Sequence, residues 1–527
     1  MSDEEISDSG EVVQGPGAFE QIKGMTENFW VANAMEALER LAYFGVRAVL
    51  PLYMVGATGI GLGLNFSEKG LIYMIWALIQ CLLPMISGGF ADTYGYKKSL
   101  CCAFSINIVG YVAMAFATGF WSMLGAACLI GTGTALFKPP VQGAVAKSLN
   151  EENSSLGFGL FYWVVNIGGF IAPMAASALR GNENAPSWNL VFFGAALVTA
   201  LNFLPTLIFF EEPKRDGKEE NAKAEKKSPM RVLVDTVLIL WRDKPMLKFL
   251  LITSGFWFMF MQLWDLFPNF LEEWVDTRDV GTFLSGLPLI GQTDFVKGLL
   301  TASGAAKPEI LINIDSFVII LLVIPLSALS KRYSMMTSLV VGMIVSLVGF
   351  VLTGMTMVGG IAALAIFLFA IGEIICSPKF NEFIGMAAPA DKKAIYMGFA
   401  NIPFAIGWAA GNGISGVLYD ALSSKDVMVR RLLDGKVAEI AVKGEDGAIQ
   451  MVKLAEAKGA PLYEKAVEVL GYADNAALNQ DLWAANHPWI IWPILGAVGL
   501  ASLIGMVVMH NRAQAQAAAG EDANTVG

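Results

Sequence analysis

The chain has 527 residues, 55% of them hydrophobic and only 16% charged, with a mean hydropathy of +0.55 and a formal net charge of −10. That composition excludes an ordinary soluble domain. The acidic balance is spread through tails and long loops, which argues against a nucleic-acid partner.

The amino terminus, MSDEEISDSG, is acidic and polar. It lacks the basic start, short apolar core and small-residue cleavage site of a secretory signal, so the first apolar span is expected to be retained. That span carries Glu36, Glu39, Arg40, Tyr43 and Arg47. Counted from Glu36 they fall at i, i+3, i+4, i+7 and i+11, one helix face about 16 Å long. Charges are costly at membrane depth, so the stripe is expected to line a water-filled path.

About twelve runs approach the roughly 20 residues needed to cross a bilayer. They centre near residues 42, 79, 108, 134, 168, 199, 260, 321, 346, 371, 407 and 498. Each is expected to be a helix, because lipid offers the backbone no other partner. The spacing predicts an all-α membrane protein with a six-helix bundle over 28–210, a polar linker over 211–245 and a second six-helix bundle over 246–510. The linker ends in MRVLVDTVLILWRDKP, which is suited to a helix at the membrane surface. Two long loops, 275–310 and 421–487, fall on the face opposite the basic turns. Lys97 and Lys98, Lys331 and Arg332, Lys392 and Lys393, and the basic run from Lys214 to Lys244 share the other face, so both termini are expected in the cytoplasm. The lipid bilayer is thus an expected partner, with the plasma membrane as the location, or the inner membrane in a bacterium.

The five cysteines, Cys81, Cys101, Cys102, Cys128 and Cys376, lie in apolar spans without paired or metal-ligand spacing and read as packing residues. His487 and His510 are the only histidines, and no nucleophile or metal constellation accompanies them, so neither an enzyme nor a metal site is expected.

GGFADTYGYKKSL, at the end of the second span, follows the Gly-x-x-x-Asp-x-x-Gly-x-Lys/Arg-Lys/Arg pattern of major facilitator transporters at Gly88, Asp92, Gly95, Lys97 and Lys98. Glycines permit a tight turn and close helix approach, Asp92 can cap or pair across helices, and the lysines favour the cytoplasm. Four further segments resemble the proton-dependent oligopeptide transporter family: EALERLAYFGVR, GTGTALFKPPVQG, FYWVVNIGGFIAP and GEIICSP, in the first, fourth, fifth and tenth spans.

The resemblance implies a major facilitator fold and a proton-driven symporter that carries small peptides by alternating access, with a proton gradient and no cofactor. It implies proton coupling through Glu36, Glu39 and Arg40. Arg47 and Lys138 would hold the peptide carboxylate, Asn166 its backbone and Glu373 its amine, with Tyr43 also at the substrate. The same cations could serve nitrate, another carboxylate or a drug-like solute, and the scaffold also suits an exporter. A receptor using the 421–487 insertion would leave the polar stripes unexplained.

The chain departs from the family pattern at three places. Met261 stands where a glutamate is usual, Asp315 where an asparagine is usual, and Leu82 where a tyrosine is common. The expectation is that Asp315 lies beside Glu373 at the substrate and compensates for the carboxylate lost at Met261.

Overall fold

A computed structural model describes residues 18–525 except 58–59, 86, 88–90, 92–93, 151–152, 182–184, 213–236, 331, 390–392 and 444–448, together with the strand pair Glu5–Ile6 and Val12–Val13. Twelve principal helices follow in chain order among the described residues. In the first half they are α1 Glu27–Val55, α2 Phe66–Leu82, α3 Tyr96–Ala115, α4 Phe120–Lys147, α5 Ser154–Arg180 and α6 Trp188–Leu201. In the second half they are α7 Lys244–Phe260, α8 Ile314–Ser330, α9 Met335–Gly354, α10 Gly359–Ala387, α11 Asn401–Leu422 and α12 Ile491–Thr525.

Nine helices among the described residues are long and apolar enough to cross a membrane, and α1, α2 and α11 stand outside that count. α1 is long enough but carries, besides the exposed Glu27 at its start, Glu36, Glu39, Arg40 and Arg47, which it can hold only by facing other helices. α2 begins sharply because Asn65 and Glu68 cap it reciprocally: Glu68 N–H donates to Asn65 Oδ1 at 2.7 Å, and Asn65 N–H to Glu68 Oε2 at 3.0 Å. α7 ends at Phe260 and the chain continues through short helical segments Gln262–Asp265 and Phe267–Trp274; Pro268, which has no N–H to donate, opens the second of these.

Within the first half α1 packs on α5, and α3 on α4 and α6; within the second, α9 packs on α10 and α12, and α7 on α11 and α12. The halves meet chiefly where α2 lies against α11 and α5 against α8. The α2–α11 contact depends on two glycines, since a Cβ on Gly70 would strike the Asn412 carbonyl and one on Gly416 the Phe66 carbonyl.

The insertion face carries the segments between α7 and α8 and between α11 and α12; the opposite, terminal face carries the two chain ends. The proposed amphipathic linker lies mostly outside the described residues.

Candidate functional site

α1 packs its polar stripe inward, and Glu36, Glu39, Arg40, Tyr43 and Arg47 are all buried. Arg40 Nε lies 3.2 Å from Glu36 Oε1, and its terminal nitrogen is paired with Glu39 Oε2. The guanidinium also sits 5.0 Å from the Tyr43 ring centre. Lys138, on α4 beside Pro139 and Pro140, is within electrostatic range of Glu36, Glu39 and Arg40. About one turn of α1 and one residue of α4 therefore form a single group of two carboxylates and two cations.

Tyr43 is buried and hydrogen-bonded within the protein. Its hydroxyl donates to Gln80 Oε1 at 3.2 Å and accepts from Gln80 Nε2 at 3.0 Å, while Trp76 Nε1 donates to the same Gln80 oxygen at 2.7 Å.

Arg47, expected at the substrate carboxylate, is paired here with a carboxylate of the protein itself. Its guanidinium is ion-paired with Asp265 of the second half and packs against the rings of Tyr73, Trp76 and Trp408. Asp265 also accepts from Trp408 Nε1 at 2.5 Å and from Asn412 Nδ2 at 2.8 Å. Lys69 Nζ donates to the Asp265 carbonyl and to Asn269 Oδ1, both at 2.7 Å. The sequence reading did not single out Asp265, although it lies one helical turn beyond Met261. A buried carboxylate thus stands four residues beyond Met261, already paired with Arg47. Met261 itself packs against the buried cluster of Ala77, Cys81, Ala405, Trp408 and Ala409.

In the second half Asp315, in the first turn of α8, and Glu373, midway along α10, are hydrogen-bonded side chain to side chain. Asp315 is 1% exposed. Asp315 Oδ1 and Glu373 Oε2 have no hydrogen-bond partner among the described residues. Tyr162 of α5 lies within electrostatic range of both. Asn166, one turn on, is half-buried and donates from Nδ2 to the Tyr162 carbonyl of its own helix at 2.8 Å.

Of the conserved-pattern loop, Gly88 and Asp92 lie outside the described residues. Gly95 caps α3 at φ +98°, and a Cβ there would meet Glu212 Oε1 at 2.9 Å. Glu212 accepts from the N–H groups of Tyr96 at 2.5 Å and Lys97 at 3.1 Å, a carboxylate at a helix amino terminus. Lys97 Nζ donates to the Leu207 and Phe210 carbonyls, tying α3 to the segment after α6, and Lys98 is exposed.

Contacts joining the halves gather on the insertion face. Besides Arg47–Asp265, Arg180 Nη1 lies 3.5 Å from Glu309 Oε2, and Lys307 Nζ donates to the Gly181 carbonyl at 2.9 Å. Asp420 of α11 accepts from the N–H groups of Phe66 and Ser67 at 3.1 and 2.8 Å, capping α2 from the other half.

The Major Facilitator Superfamily matches over residues 35–412. The chain belongs to this superfamily. It is therefore a multi-pass membrane transporter and not an enzyme, and its cargo is a small molecule. Multidrug resistance protein MdtH of Klebsiella pneumoniae (strain 342) is 25% identical over 346 residues, 65% of this chain and 75% of that protein. A di-/tripeptide transporter of Lactococcus lactis subsp. cremoris is 29% identical over 155 residues, 28% of this chain and 31% of that transporter. Among solved structures, a peptide transporter POT in complex with sulfate aligns with a TM-score of 0.62 at 14% identity, over 95% of this chain and 98% of that one. The nucleoside transporter NupG aligns with a TM-score of 0.61 at 13% identity, over 92% and 99%. These structural likenesses bear on the facilitator fold alone.

Proposed function

We propose that this facilitator is a proton-coupled symporter of small zwitterions of the di-/tripeptide kind, working by alternating access. The observation that carries the reading is a carboxyl pair on the second half with no cation of its own and a cation on the first half beside an already paired cluster. Lys138 and the Arg40 cluster stand on the first, and the Asp315–Glu373 pair, with no cation beside it among the described residues, stands on the second. A zwitterion would bridge them, carboxylate toward Lys138 and ammonium toward the pair.

A hydrogen bond between two carboxyl groups needs one shared proton, because a carboxylate only accepts. An arriving ammonium can replace that proton. On the first half, protonation of Glu36 or Glu39 would free Arg40 from its partner and so tie proton entry to rearrangement of α1. With the terminal face in the cytoplasm, the cluster of contacts on the insertion face corresponds to a carrier closed to the outside.

A second reading, transport of amine-bearing drug-like solutes, is favoured by the commitment of Arg47 to Asp265, which leaves the first half with fewer cations for a carboxylate. Uptake into liposomes under an inward proton gradient separates the two. Competition by a free dipeptide, with at least tenfold weaker competition by its carboxyl-amidated form, supports the zwitterion reading. Equal competition by both forms, or preference for lipophilic amines, refutes it.

A further inference from the structure

The segment between α11 and α12 is a small folded body anchored on the second half. It contains helix Lys425–Leu433, an antiparallel hairpin of Glu439–Lys443 with Ile449–Lys453, and helices Ala460–Leu470 and Asn475–Asn486. Val429, Leu433, Leu462, Ala466, Leu478 and Leu482 give it a buried core. Its base is fixed to the end of the seventh span: Trp274 Nε1 donates to the Ser423 carbonyl at 2.9 Å, Lys425 N–H to Glu273 at 3.3 Å and Asn479 Nδ2 to the Glu273 carbonyl at 3.4 Å.

From this base one turn reaches the other half. Lys458 Nζ donates to the carbonyls of Gly63 and Leu64, between α1 and α2, at 2.8 and 2.9 Å. Both sides of the contact are held rigidly. Behind Lys458, Asp426 Oδ1 accepts from Gly459 N–H at 3.0 Å and from the Tyr463 hydroxyl at 2.7 Å, and Arg430 Nη1 donates to the Ala457 carbonyl at 3.0 Å. On the receiving side, the N–H groups of Leu62, Gly63 and Leu64 donate to the carbonyls of Tyr53, Gly56 and Met54, folding that turn back on the end of α1.

We infer that residues 423–443 and 449–490 form a clasp over the insertion face, with Lys458 as its hook, and that the clasp biases the carrier toward the state closed on that face. The body moves with the second half, whereas Gly63 and Leu64 move with the first, so opening that face must break both hydrogen bonds. The ammonium forms charge-assisted bonds to two carbonyls that have no other cation beside them in the described contacts, and opening exchanges them for bonds to water, so the net difference between the two favours the closed state. The clasp is separate from the Arg47–Asp265 pair, which joins the spanning helices themselves.

The test uses full-length protein in nanodiscs with the native cysteines replaced by serine. Spin labels are placed through Phe116→Cys and Met355→Cys, at the insertion-face ends of α3 and α9, where both native side chains are exposed. Lys458→Ala should raise the population with the longer inter-label distance about tenfold, and Lys458→Arg should restore part of the closed state. Equal distance distributions for the unmodified hook and Lys458→Ala would overturn the clasp. A second variant covers the case in which Lys458→Ala does not fold. A Cβ on Gly459 would lie 3.3 Å from that of Ala57, so Ala57→Cys with Gly459→Cys can be bridged, at the cost of strain in the turn, where Gly459 has φ +67°. Oxidation of that pair, without labels, should slow amide hydrogen exchange at the start of α2 and the end of α11. Unchanged exchange on oxidation counts against the clasp. Neither readout requires a substrate, so a failed clasp and a failed zwitterion reading are told apart.

Discussion

Arg47 and Asp265 show how a buried charge pair sets the cost of opening. Each is buried, each comes from a different half, and Asp265 is further held by Trp408 and Asn412. Removing one member strands the other, which typically costs about 3–5 kcal/mol. Asp265→Asn should therefore lower the thermal unfolding temperature of the solubilised protein, and Arg47→Met with Asp265→Leu should recover most of the loss. Recovery by the double variant identifies the stranded charge as the cause, whereas a deficit that persists assigns it to lost packing. At the other end of the stripe, Glu39→Gln should abolish gradient-driven accumulation while leaving counterflow intact, because exchange without net proton movement does not require Arg40 to be released. Accumulation unchanged in both Glu36→Gln and Glu39→Gln proteins would remove the cluster from the coupling mechanism.

Among the elements, α2 and α11 form the tightest seam between the halves. Gly70 and Gly416 each face a carbonyl of the opposite helix, which cannot yield as a flexible side chain would. Gly416→Val should separate the helices on the insertion face and weaken the Asp420 cap on α2. Faster hydrogen exchange at Phe66 and Ser67 would report this, and unchanged protection there would place the closing force elsewhere.

The insertion carries its own pH dependence. Lys425 is buried with its ammonium 3.7 Å from the centre of the Tyr463 ring, facing Glu273 and Asp426, and burial pushes its pKa down to about 8 from an ordinary 10.5. Between those values the docked body binds fewer protons than an opened one, so its stability rises with pH across that window and is flat with respect to this group below about 8. Hydrogen exchange corrected for intrinsic rates should show the helix Lys425–Leu433 opening less often at pH 10 than at pH 8. Lys425→Met should lose that rise, and an identical pH profile in the variant would assign the effect to another group.

For the molecule as a whole, the number and order of helices were legible because bilayer thickness imposes length and apolarity on each span, a constraint that acts locally on the sequence. The stripe on α1 was legible for the same reason: Glu36, Glu39, Arg40, Tyr43 and Arg47 have no place facing lipid, and a 3.6-residue period puts them on one side. The partners of that stripe were not. Asp265 is 218 positions from Arg47 and joins it only because α1, α7 and α11 converge on the insertion face. Sequence periodicity gives a helix its polar face but not the helix that face will meet. Likewise, Tyr43 was set apart by its spacing, yet Gln80 from α2 occupies its hydroxyl. Lys458 showed nothing in the sequence beyond a cation in a mixed-charge insertion, and its role rests on a turn that reaches two carbonyls nearly four hundred positions away. By itself the sequence determined a polytopic helical carrier with a charged first helix, since solvation by lipid acts on each segment separately. Tertiary structure decided which charges are already paired and which side of the carrier is closed, because ion pairs and carbonyl contacts depend on distances that only the packed helices establish.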